Sequence, residues 1–172
     1  MNIRKYQKND FSELAELYIE FFNEMREWQG WEQLKLDSEE AKKTVKESLD
    51  KNSMVFVSED SGKLVGFARV QHWDGAYFVR EVFVAKLFRR KGVGSKLLAR
   101  CEDFARKNGE TSLYLTVEPK HSVSLEFLIQ NGYNTLNMLE LRKDFVQTSL
   151  VERRGEVEIL GHKLRLLKRE TR

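Results

Sequence analysis

The chain of 172 residues has one cysteine and one proline. A single cysteine excludes an internal disulfide. Cys101 also recurs among apolar residues at helical spacing, which marks it as a core side chain and not a nucleophile. No apolar run approaches the ~18 residues that a membrane helix needs. The opening MNIRKYQKND carries no apolar signal core. These absences predict a reducing, cytoplasmic setting away from the membrane. There is no repeat and no low-complexity stretch, so no linker is expected and residues 1–172 read as one domain. The composition is 41% hydrophobic and 33% charged, which suits a globular chain and argues against disorder. A net charge of +3 is too small to point to nucleic acid.

The positive charge is unevenly spread. Lys86, Arg89, Arg90, Lys91, Lys96 and Arg100 form a block with no acid among them, and a second basic stretch lies beyond Phe145. Periodicity gives the frame around the first block. Residues 2–7 read as a strand. Asp10 and Glu13 look like a capping box ahead of a helix whose face is Phe11, Leu14, Leu17, Tyr18, Phe21 and Met25. A second helix begins near Asp37 to Glu40 and carries Ala41, Val45 and Leu49. Ser53 to Ser58 and Leu64 to Val70 are strands joined at Asp60-Ser61-Gly62, and Asp74-Gly75 turns into a strand over Tyr77 to Val84. Val93, Leu97, Leu98, Cys101, Phe104 and Ala105 share a helical face that stops at Asn108-Gly109. Leu113 to Val117 is a strand, Val123 to Asn131 a helix closed by Gly132, and Tyr133 to Leu141 a strand. Val157 to Leu160 and Lys163 to Leu167 pair across Gly161-His162. The fold class is α/β (α+β), a mixed sheet flanked by helices.

The strand ending at Val84 runs through a basic glycine turn into the helix at Val93. A helix N-terminus leaves backbone N–H groups free and carries partial positive charge, so it suits an anion. Gly92 and Gly94 let the backbone approach phosphate oxygens and take up positive φ cheaply. The other reading is a tight turn with solvated charges. A Walker-type loop is excluded because Gly94 is followed by Ser95 and only then by Lys96. A dinucleotide fingerprint is excluded because Leu97 stands where a small residue is needed.

Arg89-x-x-Gly92-x-Gly94, preceded by Val82-Phe83-Val84, resembles the acyl-CoA signature of the GCN5-related N-acetyltransferase (GNAT) superfamily. The element order resembles that family over about residues 2–145. Leu115-Thr116-Val117, Ser124, Phe127 and Asn131-Gly132-Tyr133 resemble its second motif. The resemblance implies a mostly antiparallel central sheet; residues 146–172 lie outside it, and the alternation of Val157, Ile159, Leu164 and Leu166 with charged residues predicts an added C-terminal β-hairpin. It implies acetyl-CoA as cosubstrate, no metal, and an amine acceptor that is either a small molecule or a protein or peptide. By the same resemblance, the backbone of Val82, Phe83 and Val84 lines the pantetheine arm, and the amides of Arg90, Lys91, Gly92, Val93, Gly94 and Ser95 hold the pyrophosphate beside Arg89. The expected chemistry is direct attack of the amine on the thioester.

Glu81 resembles the acidic residue that many members carry on this strand and is the candidate base; its other reading is a carboxylate paired with Arg80 or Arg69. Glu118 is a second choice. Leu128 departs from the family, because a tyrosine that protonates the leaving thiolate is usual there. His121 matches a common asparagine and is an alternative acid. That departure sustains a competing reading, an acetyl-CoA-binding sensor without catalysis. Glu24, Glu27, Trp28, Gly30, Trp31, Glu32 and Trp73 fall where the family holds its acceptor; they form either a cation site or half-buried packing. The tail hairpin either covers a sheet edge or exchanges with a second subunit as a homodimer. A nucleic-acid role for it is the weaker reading.

Overall fold

The computed structural model describes residues 1–29, 31–35, 39–118, 121–141, 143 and 151–169. They fall into two compact units, Met1–Met25 with Gln33–Thr116, and Arg26–Glu32 with Val117–Arg172. The first holds a five-stranded sheet in the order β1 (Asn2–Lys5), β2 (Ser53–Asp60), β3 (Lys63–Trp73), β4 (Ala76–Val84) and β5 (Tyr114–Leu115). The first four strands are antiparallel neighbours, and β4 pairs with β5 in parallel. Two-residue turns set the register. Ser61-Gly62 and Asp74-Gly75 have positive φ at both positions, the geometry of the hairpin turn that matches strand twist.

Helices cover both faces of this sheet. From α1 (Phe11–Gln29), Leu14, Leu17 and Tyr18 are buried, and they join Val45 of α2 (Glu39–Ser48) and Val55, Val57, Phe67 and Phe83 of the strands in one core. Tyr18 stacks on Phe67 at 4.1 Å between ring centroids, and Phe21 meets Phe83 at 5.9 Å. On the opposite face lies α3 (Val93–Lys107), which buries Val93, Leu97, Leu98, Cys101 and Ala105. Its Phe104 meets Phe56 of β2 and Tyr77 of β4. Cys101 is fully buried, and burial pushes its thiol up to about 12, which fits a core residue.

In the second unit α4 (Ser122–Gln130) ends at Asn131 and Gly132, the latter at φ +89°. The hairpin of β6 (Val151–Ile159) and β7 (His162–Arg169) forms a sheet of its own. It is longer than the sequence suggested, and its turn is Leu160-Gly161, not Gly161-His162, because those two residues take positive φ. The expected first residues of this extension, 146–150, lie outside the described residues, as do Gly30 and the helix start at Asp37.

Three expectations are corrected. Tyr133 to Leu141 is not a strand: its alternating residues find no ladder partner among the described residues, and Leu136, Met138 and Leu141 are exposed. The strand after α3 covers only Tyr114 and Leu115 of the expected Leu113 to Val117. The Asp10–Glu13 capping box does not form, because both carboxylates have other donors. Asp10 accepts from the Gln7 amide at 2.7 Å and from two Arg4 nitrogens at 2.7 and 2.9 Å. Glu13 accepts from the Leu64 amide at 2.8 Å.

The Arg4 guanidinium holds the Asp10 carboxyl below its usual range, and its gain outweighs the opposing effect of burial. A depressed folded-state pKa adds stability that is present above the unfolded value near pH 4 and lost as pH falls through the folded one. Acid unfolding followed between pH 5 and pH 2 should therefore be shallower in Asp10→Asn than in the parent chain; parallel curves would rule the contribution out. Gly66 gives a second test. A β-carbon there would lie 2.7 Å from the Phe83 carbonyl oxygen, so Gly66→Ala should cost about 1–3 kcal/mol in urea unfolding.

Candidate active site

The site grows from β4, because its two edges differ. One edge pairs with β3 along the strand, from Trp73 opposite Ala76 to Gly66 opposite Val84. The other pairs with β5 only at Phe78 and Val79. Among the described residues, Glu81 to Val84 therefore present their second edge to no strand. Phe83 turns its side chain into the core, 5% exposed, which leaves its backbone as the part available for contact.

Beyond Val84 the chain makes a 3-10 turn over Lys86–Phe88 and folds back with positive φ at Arg90 (61°) and Gly92 (76°). Gly92 is the N-cap of α3 and offers no side-chain cap. The first helical bond runs from the Lys96 amide to the Gly92 carbonyl at 3.1 Å. Helix geometry leaves the preceding amides of Val93, Gly94 and Ser95 unpaired inside the helix. Backbone folded this way lines a concavity with N–H groups, and the helix dipole adds positive charge. Lys86, Arg90 and Lys91 are exposed around it. The arrangement sets these amides and basic side chains next to a strand edge that pairs with no strand among the described residues.

Arg89 behaves differently from its neighbours. Its Nε donates to the Val84 carbonyl at 2.7 Å, and one terminal nitrogen donates to both Glu24 oxygens at 2.7 and 2.8 Å. The guanidinium also lies 5.4 Å over the Phe83 ring. Its side chain thus runs toward α1.

Glu81 is held by Arg69, one of its two sequence-level pairing candidates. Arg69 donates from Nε at 2.5 Å and from a terminal nitrogen at 2.6 Å to the two Glu81 oxygens, and it donates to Ser53 Oγ at 3.0 Å. The side chains are 8% and 11% exposed. Burial works against the Arg69 charge, and the Glu81 carboxylate more than offsets it, so the guanidinium is raised. The Tyr18 hydroxyl is buried beside the pair. Burial, then the Glu81 charge, push its phenol well above the usual value. Sequence reading missed Tyr18 and Ser53 as neighbours of the pair, since helix packing brings the first to it and strand register the second.

The remaining candidates lie in other places. In the second unit, Trp28 and His121 meet edge to face at 5.2 Å, Arg26 lies over Trp31, and Leu128 is buried. Glu118 follows β5 and is exposed. In the first unit, Trp73 is exposed and packs against Phe78, which packs in turn on Tyr114.

Removing Arg69 leaves the Glu81 carboxylate buried without its partner, which costs about 3–5 kcal/mol for such pairs. Arg69→Met should lose stability on that scale in guanidinium unfolding, and Arg69→Met with Glu81→Leu should recover most of it. A double variant as unstable as the single one would show that the loss comes from packing and not from the stranded charge.

A family model described as "Acetyltransferase (GNAT) family" matches residues 12–133. The uncharacterized N-acetyltransferase YhfO of Bacillus subtilis is 28% identical over 143 residues, covering 77% of this chain and 89% of that protein. The streptothricin acetyltransferase of Streptomyces lavendulae is 37% identical over 89 residues, covering 51% of this chain and 47% of its own length. Among solved structures, the AAC(6')-Iy complex with the bisubstrate analogue CoA-S-monomethyl-acetylneamine superposes with a TM-score of 0.66 at 15% identity, covering 84% of this chain and 98% of that one. That likeness is one of fold. The open edge of β4, the amide-lined turn and the extent of the family match agree, and the chain belongs to the acetyltransferase (GNAT) family.

Proposed function

We propose that the protein transfers the acetyl group of acetyl-CoA to a primary amine of a small molecule, with the donor laid along β4 and its diphosphate at the start of α3. The observation that carries this reading is that, among the described residues, no strand pairs with the second edge of Glu81 to Val84, which leads into the amides of Val93, Gly94 and Ser95 that the helix leaves unpaired. The amide groups of a pantetheine arm have the spacing and polarity to add as a strand beside Val82, Phe83 and Val84. A diphosphate then reaches the amides from Arg90 to Ser95, where helix dipole and basic side chains favour two negative charges. Further support comes from AAC(6')-Iy, solved with CoA, and from two partial relatives named for acetylating streptothricin and methionine sulfoximine or sulfone. Those acceptors are small amines.

In the reaction, the neutral amine nitrogen attacks the thioester carbonyl carbon and forms the C–N bond. The C–S bond then breaks and CoA leaves as its thiolate. The surplus ammonium proton must leave the nitrogen. An alkyl amine with pKa ~10.4 is neutral in only about one molecule in 2,500 at pH 7, a cost of ~4.6 kcal/mol; an amine near pKa ~8 costs ~1.4 kcal/mol. An alkyl acceptor therefore needs a base. We assign that role to Glu81 acting through a water, because Arg69 takes one acceptor position on each of its oxygens and a carboxylate has about four. No protein acid is assigned to the leaving group: a thiol has pKa ~8.5, so its thiolate departs without one, and Leu128 has no proton to give.

The test is free-thiol release from acetyl-CoA against pools of polyamines, amino acids, aminoglycosides and peptide N-termini at pH 7 and pH 8.5. Release with a small-molecule pool, rising with pH, is expected. Silence in every pool from protein that still binds acetyl-CoA would overturn the transfer. Glu81→Gln should lower kcat/KM by about 10²–10⁴, and an unchanged rate would remove Glu81 from the mechanism.

A further inference from the structure

Arg89 sits in the middle of the turn read above as the diphosphate site, yet its charge is directed elsewhere. It caps the Val84 carbonyl at 2.7 Å and neutralises both oxygens of Glu24, 65 residues away in sequence. The first contact occupies a group that the proposed reaction needs. Val84 lies on the strand segment that would take the pantetheine amides, and its carbonyl cannot accept from both Arg89 and the donor in the same direction. Glu24 is an α1 carboxylate, and while paired it offers no net negative charge to a cation.

The contact is also easy to break. The Arg89 and Glu24 side chains are 37% and 32% exposed, where an ion pair contributes little. A diphosphate at the α3 amides gives the same guanidinium a doubly charged partner with oxygens that suit its fork.

We propose that the Arg89–Glu24 pair is exchanged on donor binding: the diphosphate draws Arg89 off Glu24 and off the Val84 carbonyl, and the released Glu24 carboxylate receives the ammonium group of a cationic acceptor. Glu24 is then a specificity residue that favours acceptors carrying a second positive charge, and it is masked until the donor is in place. This inference rests on the reading of the turn as the CoA site. The exchange makes no new covalent bond. It makes the two ligands help each other, because each takes one member of a pair that the free protein keeps together.

Calorimetric titration of the full-length chain tests it, with CoA as donor probe and spermidine as cationic probe, corrected for their association in solution. Glu24→Gln should tighten CoA binding about threefold or more, because Arg89 is freed. Arg89→Ala should weaken it, and Glu24→Gln should then make no further difference in the Arg89→Ala background. CoA should raise spermidine affinity at least about threefold in the parent chain and not in Glu24→Gln. Thermal unfolding of each variant confirms that it folds, and Arg89→Lys replaces Arg89→Ala if the latter does not. A chain that fails to bind CoA overturns the reading of the turn, and this inference falls with it. CoA binding that Glu24→Gln leaves unchanged overturns the exchange alone. Spermidine affinity that is absent, indifferent to CoA, or equally coupled in Glu24→Gln overturns the acceptor role of Glu24.

Discussion

Counting back from the Asp74-Gly75 turn, an unbroken ladder would place Arg69 opposite Arg80. It runs as counted from Trp73–Ala76 to Val70–Val79, and then shifts so that Arg69 faces Glu81. Like charges directly opposite destabilise a sheet and opposite charges support it, so the bulge replaces a repulsive pair with an attractive one. It also decides the rest of β4. A strand alternates faces every residue, and without the extra residue Glu81 would point toward the α3 side and Phe83 would leave the core that it shares with Phe67 and Phe21. With it, Arg80 is exposed, Glu81 is half-buried, and Val82 to Val84 are delivered to the turn in a fixed orientation.

The same strand explains why the edge can stay open. β5 contributes two paired residues, too few to cover β4 beyond Val79. An unpaired edge normally invites association, but here the chain turns at Ala85 and returns as α3, whose buried face anchors the segment firmly. The Arg69–Glu81 pair beside this edge is costly to desolvate and adds little net stability for its burial. Its value is geometric: a bidentate guanidinium with a third bond to Ser53 fixes the carboxylate direction. The Tyr18 hydroxyl, buried next to it, is a polar group held at a cost by the surrounding Phe67 and Phe22 contacts.

What was legible in the sequence follows from range. The Ser61-Gly62 and Asp74-Gly75 turns, most of the amphipathic faces of α1 and α3, and the positive φ at Gly92 depend on neighbours within a few positions and agree with the structure. By contrast, Phe11 and Met25 of the expected α1 face are exposed, Gly94 is helical without positive φ, and the tail turn falls at Leu160-Gly161. The Arg69–Glu81 pair was half legible, since turn counting brings Arg69 near Glu81 but cannot reveal the bulge. Glu13 bonding to Leu64 and Arg89 bonding to Glu24 join residues 51 and 65 positions apart, and no local pattern announces them. The capping box failed for this reason: Asp10 and Glu13 are well placed for one another in sequence, but Arg4 and the Leu64 amide are better partners in space. Tyr133 to Leu141 failed in the opposite way. Its alternation is that of a strand, but alternation records only that one face can be buried, and a ladder needs a neighbour.

Strain and charge are concentrated in the same few residues. Arg90 holds a left-handed conformation that costs an L-residue roughly 1–2 kcal/mol, and four cations crowd between Lys86 and Lys91 at the positive end of a helix. Neither feature helps the chain fold, since like charges repel and the dipole opposes them. Only Arg89 of these four forms an ion pair among the described residues. The core beneath is conventional: close-packed aromatics and aliphatics with its one cysteine inert. Strained backbone persists where surrounding structure enforces it, and it is a reason to look for a ligand. An anion bound at the amides of α3 would relieve the repulsion and use the strained geometry, so a cost borne by this turn in the free protein would be recovered in the proposed diphosphate complex.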